Sequence, residues 1–186
     1  MLLYLLGYAA LAGAAFYGPA PCARALSEIG REAVRVIRPG EKFAVGCIEI
    51  EAIPADHGWQ SMDVKRYGAP FGPEDCVGYI LRTPHAKLLF PGDTRLTPQH
   101  RALPDDFDAM AFDVSADPWH MGARDGAELA RHLSRAKLLP CPFDTYDAPE
   151  AVPHNGSLIL AREALGDAAA HLASDAIGAP VIFGAE

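Results

Sequence analysis

The chain has 186 residues, half of them hydrophobic and 22% charged, with a formal net charge of −8. That composition suits a single globular domain able to bury a core, and it excludes disorder, which needs low hydrophobicity. The acidic balance argues against a nucleic-acid-binding surface and against docking on an anionic membrane.

Residues 1–19 carry no charged side chain. Three readings stand for them. One is a buried helix through Leu2, Leu3, Leu5, Leu6 and Ala9, broken at Gly13 and followed by a strand at 14–17. The others are a signal peptide lacking a basic n-region, and a membrane anchor at the lower limit of about 20 apolar residues. A chain that opens inside a core-like helix leads us to expect further sequence in front of it. Residues 21–29 read as a short helix stopped by Gly30, 34–37 as a strand and 38–41 as a turn. From 47 to 55, Ile48, Ile50 and Ala52 face one way and Glu49 and Glu51 the other, the pattern of a half-buried strand. Residues 56–75 form a loop rich in Gly and Pro, long enough to be functional or mobile. Its Trp59, Lys65 and Arg66 read as a pocket wall or as solvated surface.

Residues 76–82 and 87–90 read as strands joined by a hairpin turn at 83–86, and 107–114 as a further strand. Residues 122–136 have helical periodicity through Ala127, Leu129, Ala130 and Leu133. Residues 137–141 form a strand stopped by Pro142. A second long helix spans 158–177 with a bend near Gly166, and 180–183 is a last short strand. Strands in small groups with helices interleaved later predict an α/β (α+β layered) fold, one domain over 1–186.

The four cysteines lie far apart with no C-x-x-C pair. They read as buried free thiols in a reducing compartment, the cytoplasm. No two of the seven histidines stand at H-x-H or H-x-x-x-H spacing. His85, His100, His132 and His171 read as exposed or half-buried structural residues, and His154 as a loop residue without a nameable partner. His57 and Asp93 differ, because each follows a strand directly, where layered α/β folds gather ligands. Gly92 allows the sharp turn that aims the Asp93 carboxylate, and Thr94 is placed to bond that carboxylate or the next turn. Gly92-Asp93-Thr94 also reads as an ordinary turn. His120, just ahead of a helix, is a site residue or a polar lead-in. Arg95 suits an anionic substrate group such as phosphate, or solvent.

The segments Ile50-Glu51-Ala52-Ile53-Pro54-Ala55-Asp56-His57, Val77-Gly78-Tyr79-Ile80-Leu81-Arg82-Thr83-Pro84 and Leu89-Phe90-Pro91-Gly92-Asp93-Thr94 follow one another in that order. His120-Met121-Gly122 and Leu138-Leu139-Pro140 come next. Together they resemble the later part of the metallo-β-lactamase superfamily, in its L-ascorbate-6-phosphate lactonase-like branch. Phe16-Tyr17-Gly18-Pro19 and Val36-Ile37-Arg38-Pro39-Gly40-Glu41 also match that branch, so the resemblance runs from about residue 1 to 147.

The resemblance implies the C-terminal part of an αββα sandwich with one or two metal ions, zinc or manganese, at the strand ends. It makes His57 a histidine ligand and Asp93 the metal-bridging aspartate of a G-D-[ST] motif; if a metal is held there, His120 is expected to line the pocket as a catalytic residue or to serve as a weak third ligand. A bound dication lowers the pKa of water from about 15.7 to near 7, for attack on a lactone, ester or phosphoester of a small molecule. Two departures accompany the match. The family's H-x-H-x-D-H clamp would precede Met1, and Pro142 fills the position of its last histidine ligand, with Asp144 two residues on as a stand-in. Catalytic zinc normally has three protein ligands, so weak metal binding and weak or absent turnover are expected. A non-catalytic binding or assembly module is the alternative. An unpaired sheet edge and a bare apolar face would invite a second copy or a complementing chain.

Overall fold

A computed structural model of the chain describes residues 15–27, 34–115, 117–141, 156–173 and 180–182. The helix expected at 1–13, together with Pro142, Asp144 and His154, lies outside them. Among the described residues no helix is long and apolar enough to cross a membrane.

Two parallel strands, β1 (Phe16–Gly18) and β2 (Val34–Val36), flank α1 (Ala20–Ser27) in the chain. A six-stranded sheet follows in chain order: β3 (Lys42–Val45), β4 (Ile48–Pro54), β5 (Val77–Arg82), β6 (Lys87–Phe90), β7 (Ala109–Phe112) and β8 (Lys137–Pro140). The pairings β3–β4, β4–β5 and β5–β6 are antiparallel, whereas β6–β7 and β7–β8 are parallel. Strands β4, β6, β7 and β8 therefore point the same way, and the loops leaving their C-terminal ends share one end of the sheet.

Local chemistry explains most of these elements. The β5–β6 hairpin turns on Thr83, whose hydroxyl accepts from the amides of His85 and Ala86. Glu51 on β4 pairs with Arg82 of β5 at 2.8 Å and Lys42 of β3 at 3.4 Å. Such exposed pairs add little stability, but like all cross-strand contacts they favour one register. Strand β3 escaped the sequence reading because three of its four residues are exposed and leave no apolar–polar alternation, and β4 supplies its register.

Strand β7 is buried on both faces, with Ala109, Met110 and Phe112 essentially inaccessible, as a central parallel strand should be. Helix α4 (Gly122–His132), which follows the short α2 (Val64–Tyr67) and α3 (Pro98–Arg101), adds Ala127, Leu129 and Ala130 to this core. Helix α5 (Leu158–Leu165) adds Ala161 and Leu165.

Several expectations change. The loop at 56–75 contains a 3₁₀ turn (Trp59–Met62) and α2, whose first turn is capped by Asp63 accepting from the Arg66 amide. Helix α4 stops at His132, four residues early, because Leu133 leaves helical geometry (φ −95°, ψ 60°) as its side chain enters the core. The long second helix is α5 followed by a 3₁₀ segment, Gly166–His171, with the break at Gly166 as anticipated. Residues 180–182 form no strand. The cysteines are free, but Cys22, Cys47 and Cys141 are exposed and Cys76 is only half-buried. They fall on a short helix, in the β3–β4 turn and at strand ends, where side chains leave the core.

His100 is the other correction: it is fully buried, not exposed or half-buried. It forms a reciprocal cap on α3, the Thr97 hydroxyl accepting from the His100 amide while Nδ1 accepts from the Thr97 amide at 3.2 Å. Burial pushes its pKa down to about 4, with a smaller push from Arg101. The folded protein thus keeps His100 neutral where an unfolded chain, with a histidine pKa of 6.5, takes up a proton. Its contribution is complete above pH 6.5 and is lost as pH falls toward 4, by about 3 kcal/mol. Urea midpoints measured across that window should fall more steeply for the parent than for His100→Gln, which cannot titrate. Parallel profiles would contradict this.

Candidate metal centre

His57 lies three residues beyond β4 and Asp93 three beyond β6. A short lattice of hydrogen bonds ties the two exits together. The fully buried Thr94 accepts from the Asp56 amide at 2.8 Å and donates to the Arg95 carbonyl. The Arg95 amide returns a bond to the Asp56 carbonyl at 2.9 Å, and its guanidinium pairs with the Asp56 carboxylate at 2.8 Å. Thr94 therefore bonds the neighbouring exit and not the Asp93 carboxylate. The turn itself needs glycine. Gly92 has φ 76°, and a Cβ there would lie 2.9 Å from the Val77 carbonyl oxygen. Gly78 on β5 is pressed against the same turn, since its Cβ would meet the Pro91 carbonyl oxygen at 2.4 Å.

His120 comes from the loop between β7 and α4. Asp113, buried at the end of β7, accepts from the Ser115 amide (2.8 Å) and the Met121 amide (3.1 Å), closing the loop at both ends. Asp117 accepts from the Trp119 amide at 2.8 Å, an Asx turn, and from His120 Nδ1 at 2.7–2.8 Å through both carboxylate oxygens. The Trp119 indole donates to Ser61 at 3.4 Å, linking this loop to the segment that follows His57.

The three exits converge. One ligand atom each from His57, Asp93 and His120 lies within 4.8 Å of the others. The two imidazoles meet edge to face at 4.9 Å between ring centroids. His120 Nε2 is 3.8 Å from Asp93 Oδ1, too far for a hydrogen bond. Two donors bound to one tetrahedral ion at 2.0–2.1 Å stand about 3.4 Å apart, so the spacing suits a shared cation. The His120 side chain is 14% accessible and that of Asp93 74%, which leaves one open side for water or substrate. Two imidazoles and a carboxylate with a free position match catalytic sites of zinc and several other first-row ions.

The charges follow from this placement. Burial holds His57 below the usual histidine range and His120 adds to that, while Asp93, Asp117 and Asp113 oppose it. Asp93 is held below the usual carboxylate range by the adjacent His120, against a partial desolvation by its surroundings. Burial also disfavours charge on His120, but Asp93, Asp117 and Asp113 outweigh it and push its pKa up to about 9.

The structure thus brings His57, Asp93 and His120 together, and it turns Arg95 to Asp56. Trp59 packs on Tyr67 at 4.6 Å, and Arg66 lies over the same ring. Sequence reasoning passed over Asp117, although Asp117-Pro118-Trp119-His120 carries a usable signal: an Asx-turn residue three positions before a histidine.

Residues 7–141 match the family described as beta-lactamase superfamily domain. No curated protein matches the chain. Among solved structures, it is similar to the metallo hydrolase Igni18 from the archaeon Ignicoccus hospitalis, with TM-score 0.63 and 15% identity over 90% of this chain and 67% of that one. It is also similar to the metallo-beta-lactamase fold protein YhfI from Bacillus subtilis, with TM-score 0.57 and 13% identity over 82% and 57%. A third is isothiocyanate hydrolase from Delia radicum gut bacteria, with TM-score 0.55 and 16% identity over 79% and 57%. The chain spans 57% to 67% of the length of these structures. At these identities the likeness is one of fold.

The Thr94 lattice is open to a direct test. Thr94→Val should destabilise the protein by about 1–3 kcal/mol in chemical denaturation, because the Asp56 amide loses its acceptor. Thr94→Ser, which keeps the hydroxyl, should cost clearly less. A Thr94→Val variant as stable as the parent would mean that the bonds do not matter.

Proposed function

The chain belongs to the beta-lactamase superfamily, and on that premise we propose that it is a metal-dependent hydrolase whose ion is held by His57, Asp93 and His120. The observation that carries this reading is the convergence of one donor from each of three separate loops within 4.8 Å. A divalent ion held there would polarise a substrate oxygen and make its bound water a nucleophile near neutral pH. His57, half-buried and held below the usual histidine range, offers a ring nitrogen. Asp93, kept ionised by its histidine neighbour, supplies negative charge on the open side. His120 closes the buried side.

Zinc or manganese suits this donor set. The segment order supports the L-ascorbate-6-phosphate lactonase-like branch, and with it a small lactone, ester or phosphoester substrate. Proline at 142, where that branch carries a histidine, favours slow turnover by this chain, and it also supports a second reading as a non-catalytic module of the same fold.

Elemental mass spectrometry on protein purified without chelator or histidine tag should find about one zinc, manganese or iron per chain. Asp93→Ala should reduce that ratio to near zero. A parent protein without metal would sink the reading, and a variant that retains the parent's content would sink the assignment of Asp93.

A further inference from the structure

The Asp117–His120 contact has a consequence beyond the three donors themselves. Asp117 is a buried carboxylate whose side chain is 4% accessible. Both of its oxygens lie within 2.8 Å of His120 Nδ1, and one of them also accepts from the Trp119 amide. A carboxylate only accepts, so Nδ1 must carry the proton and donate it. The other ring nitrogen, Nε2, is the atom that faces Asp93.

The carboxylate is itself held in place. Asp113 pins the amides of Ser115 and Met121 on either side of it, and Gly122 adopts φ 62° where a Cβ would come 2.8 Å from the Ser115 carbonyl oxygen. The loop is therefore shaped around a fixed ring orientation. A carboxylate behind a histidine fixes its tautomer and raises its basicity toward a cation on the far side.

We propose that Asp117 is a positioning residue: by accepting from Nδ1 it fixes the ring so that Nε2 is the nitrogen presented toward His57 and Asp93. This rests on the reading that the centre takes up a divalent cation. Asp117 touches neither cation nor substrate and acts through His120.

The test is a zinc-binding titration by competition with a chromogenic chelator, on the parent chain and on Asp117→Asn, His120→Ala and the double variant. Asn keeps an oxygen for the Trp119 amide, and denaturation midpoints in EDTA check that the fold is retained. We expect Asp117→Asn to weaken zinc binding 10–100-fold. His120→Ala should weaken it at least as much, and the double variant should bind no worse than His120→Ala alone, because the two act as one unit. A nitrogen-15 spectrum of the zinc-loaded parent should show a protonated Nδ1 on His120.

Parent-like zinc affinity in Asp117→Asn beside a weakened His120→Ala would overturn the positioning role and leave His120 as a ligand. Additive losses in the double variant would overturn it as well. Zinc affinity unchanged in His120→Ala would remove His120 from the centre, and no zinc uptake by the parent would overturn the metal reading itself.

Discussion

The backbone amide of Asp56 has no strand partner once β4 ends, and the hydroxyl of Thr94 supplies one. With the reciprocal Arg95–Asp56 bonds, this joins two loops that are 38 residues apart in sequence. His57 is the next residue after one anchor and Asp93 the residue before the other. Any geometry between those two side chains is inherited from this lattice. Because Thr94 is fully buried, its bonds are shielded from competing water, and leaving one unmade would be costly.

Strand direction makes such a lattice available. Two antiparallel steps bring β4 and β6 back to a common direction, and the parallel steps to β7 and β8 keep it. The exits after β4, β6 and β7 supply His57, Asp93 and His120. The exit after β8 delivers Cys141, whose thiol pKa is pushed up by partial desolvation and further by Asp93 and Asp113. Helices α4 and α5 add their apolar residues to the sheet core, so the face of the sheet is spent on packing and its end is left for chemistry. Within the centre, burial and neighbouring carboxylates push the two histidines in opposite directions: His57 is held below the usual histidine range, and His120 is raised by the acids around it.

Much of the fold was legible in the chain. Alternation at 47–55, the Thr83 turn and the run at 87–90 identified β4, β5 and β6 to within a residue or two, because half-buried strands and tight turns write their periods into local sequence. Helix α4 was legible through its apolar stripe, but its end was not, since Leu133 is held by the core and not by helix propensity. Strand β3, exposed at three of its four positions, wrote no such alternation. The cysteines misled for a related reason: a small apolar side chain is often buried, but exposure depends on where the strand or turn happens to end.

The sequence by itself determined the strand order along the chain, the positions of His57 and Asp93 at strand exits, and the glycine that their turn requires. These are properties of neighbouring residues, and they follow from backbone sterics and short-range periodicity. Only the tertiary structure decided that Thr94 bonds Asp56 and not Asp93, that Arg95 is paired with Asp56, that His100 is buried, and that Asp117 and His120 act together beside the other two exits. Those facts depend on separate loops meeting at one sheet end, and the distance between residues far apart in sequence is set by strand pairing and packing.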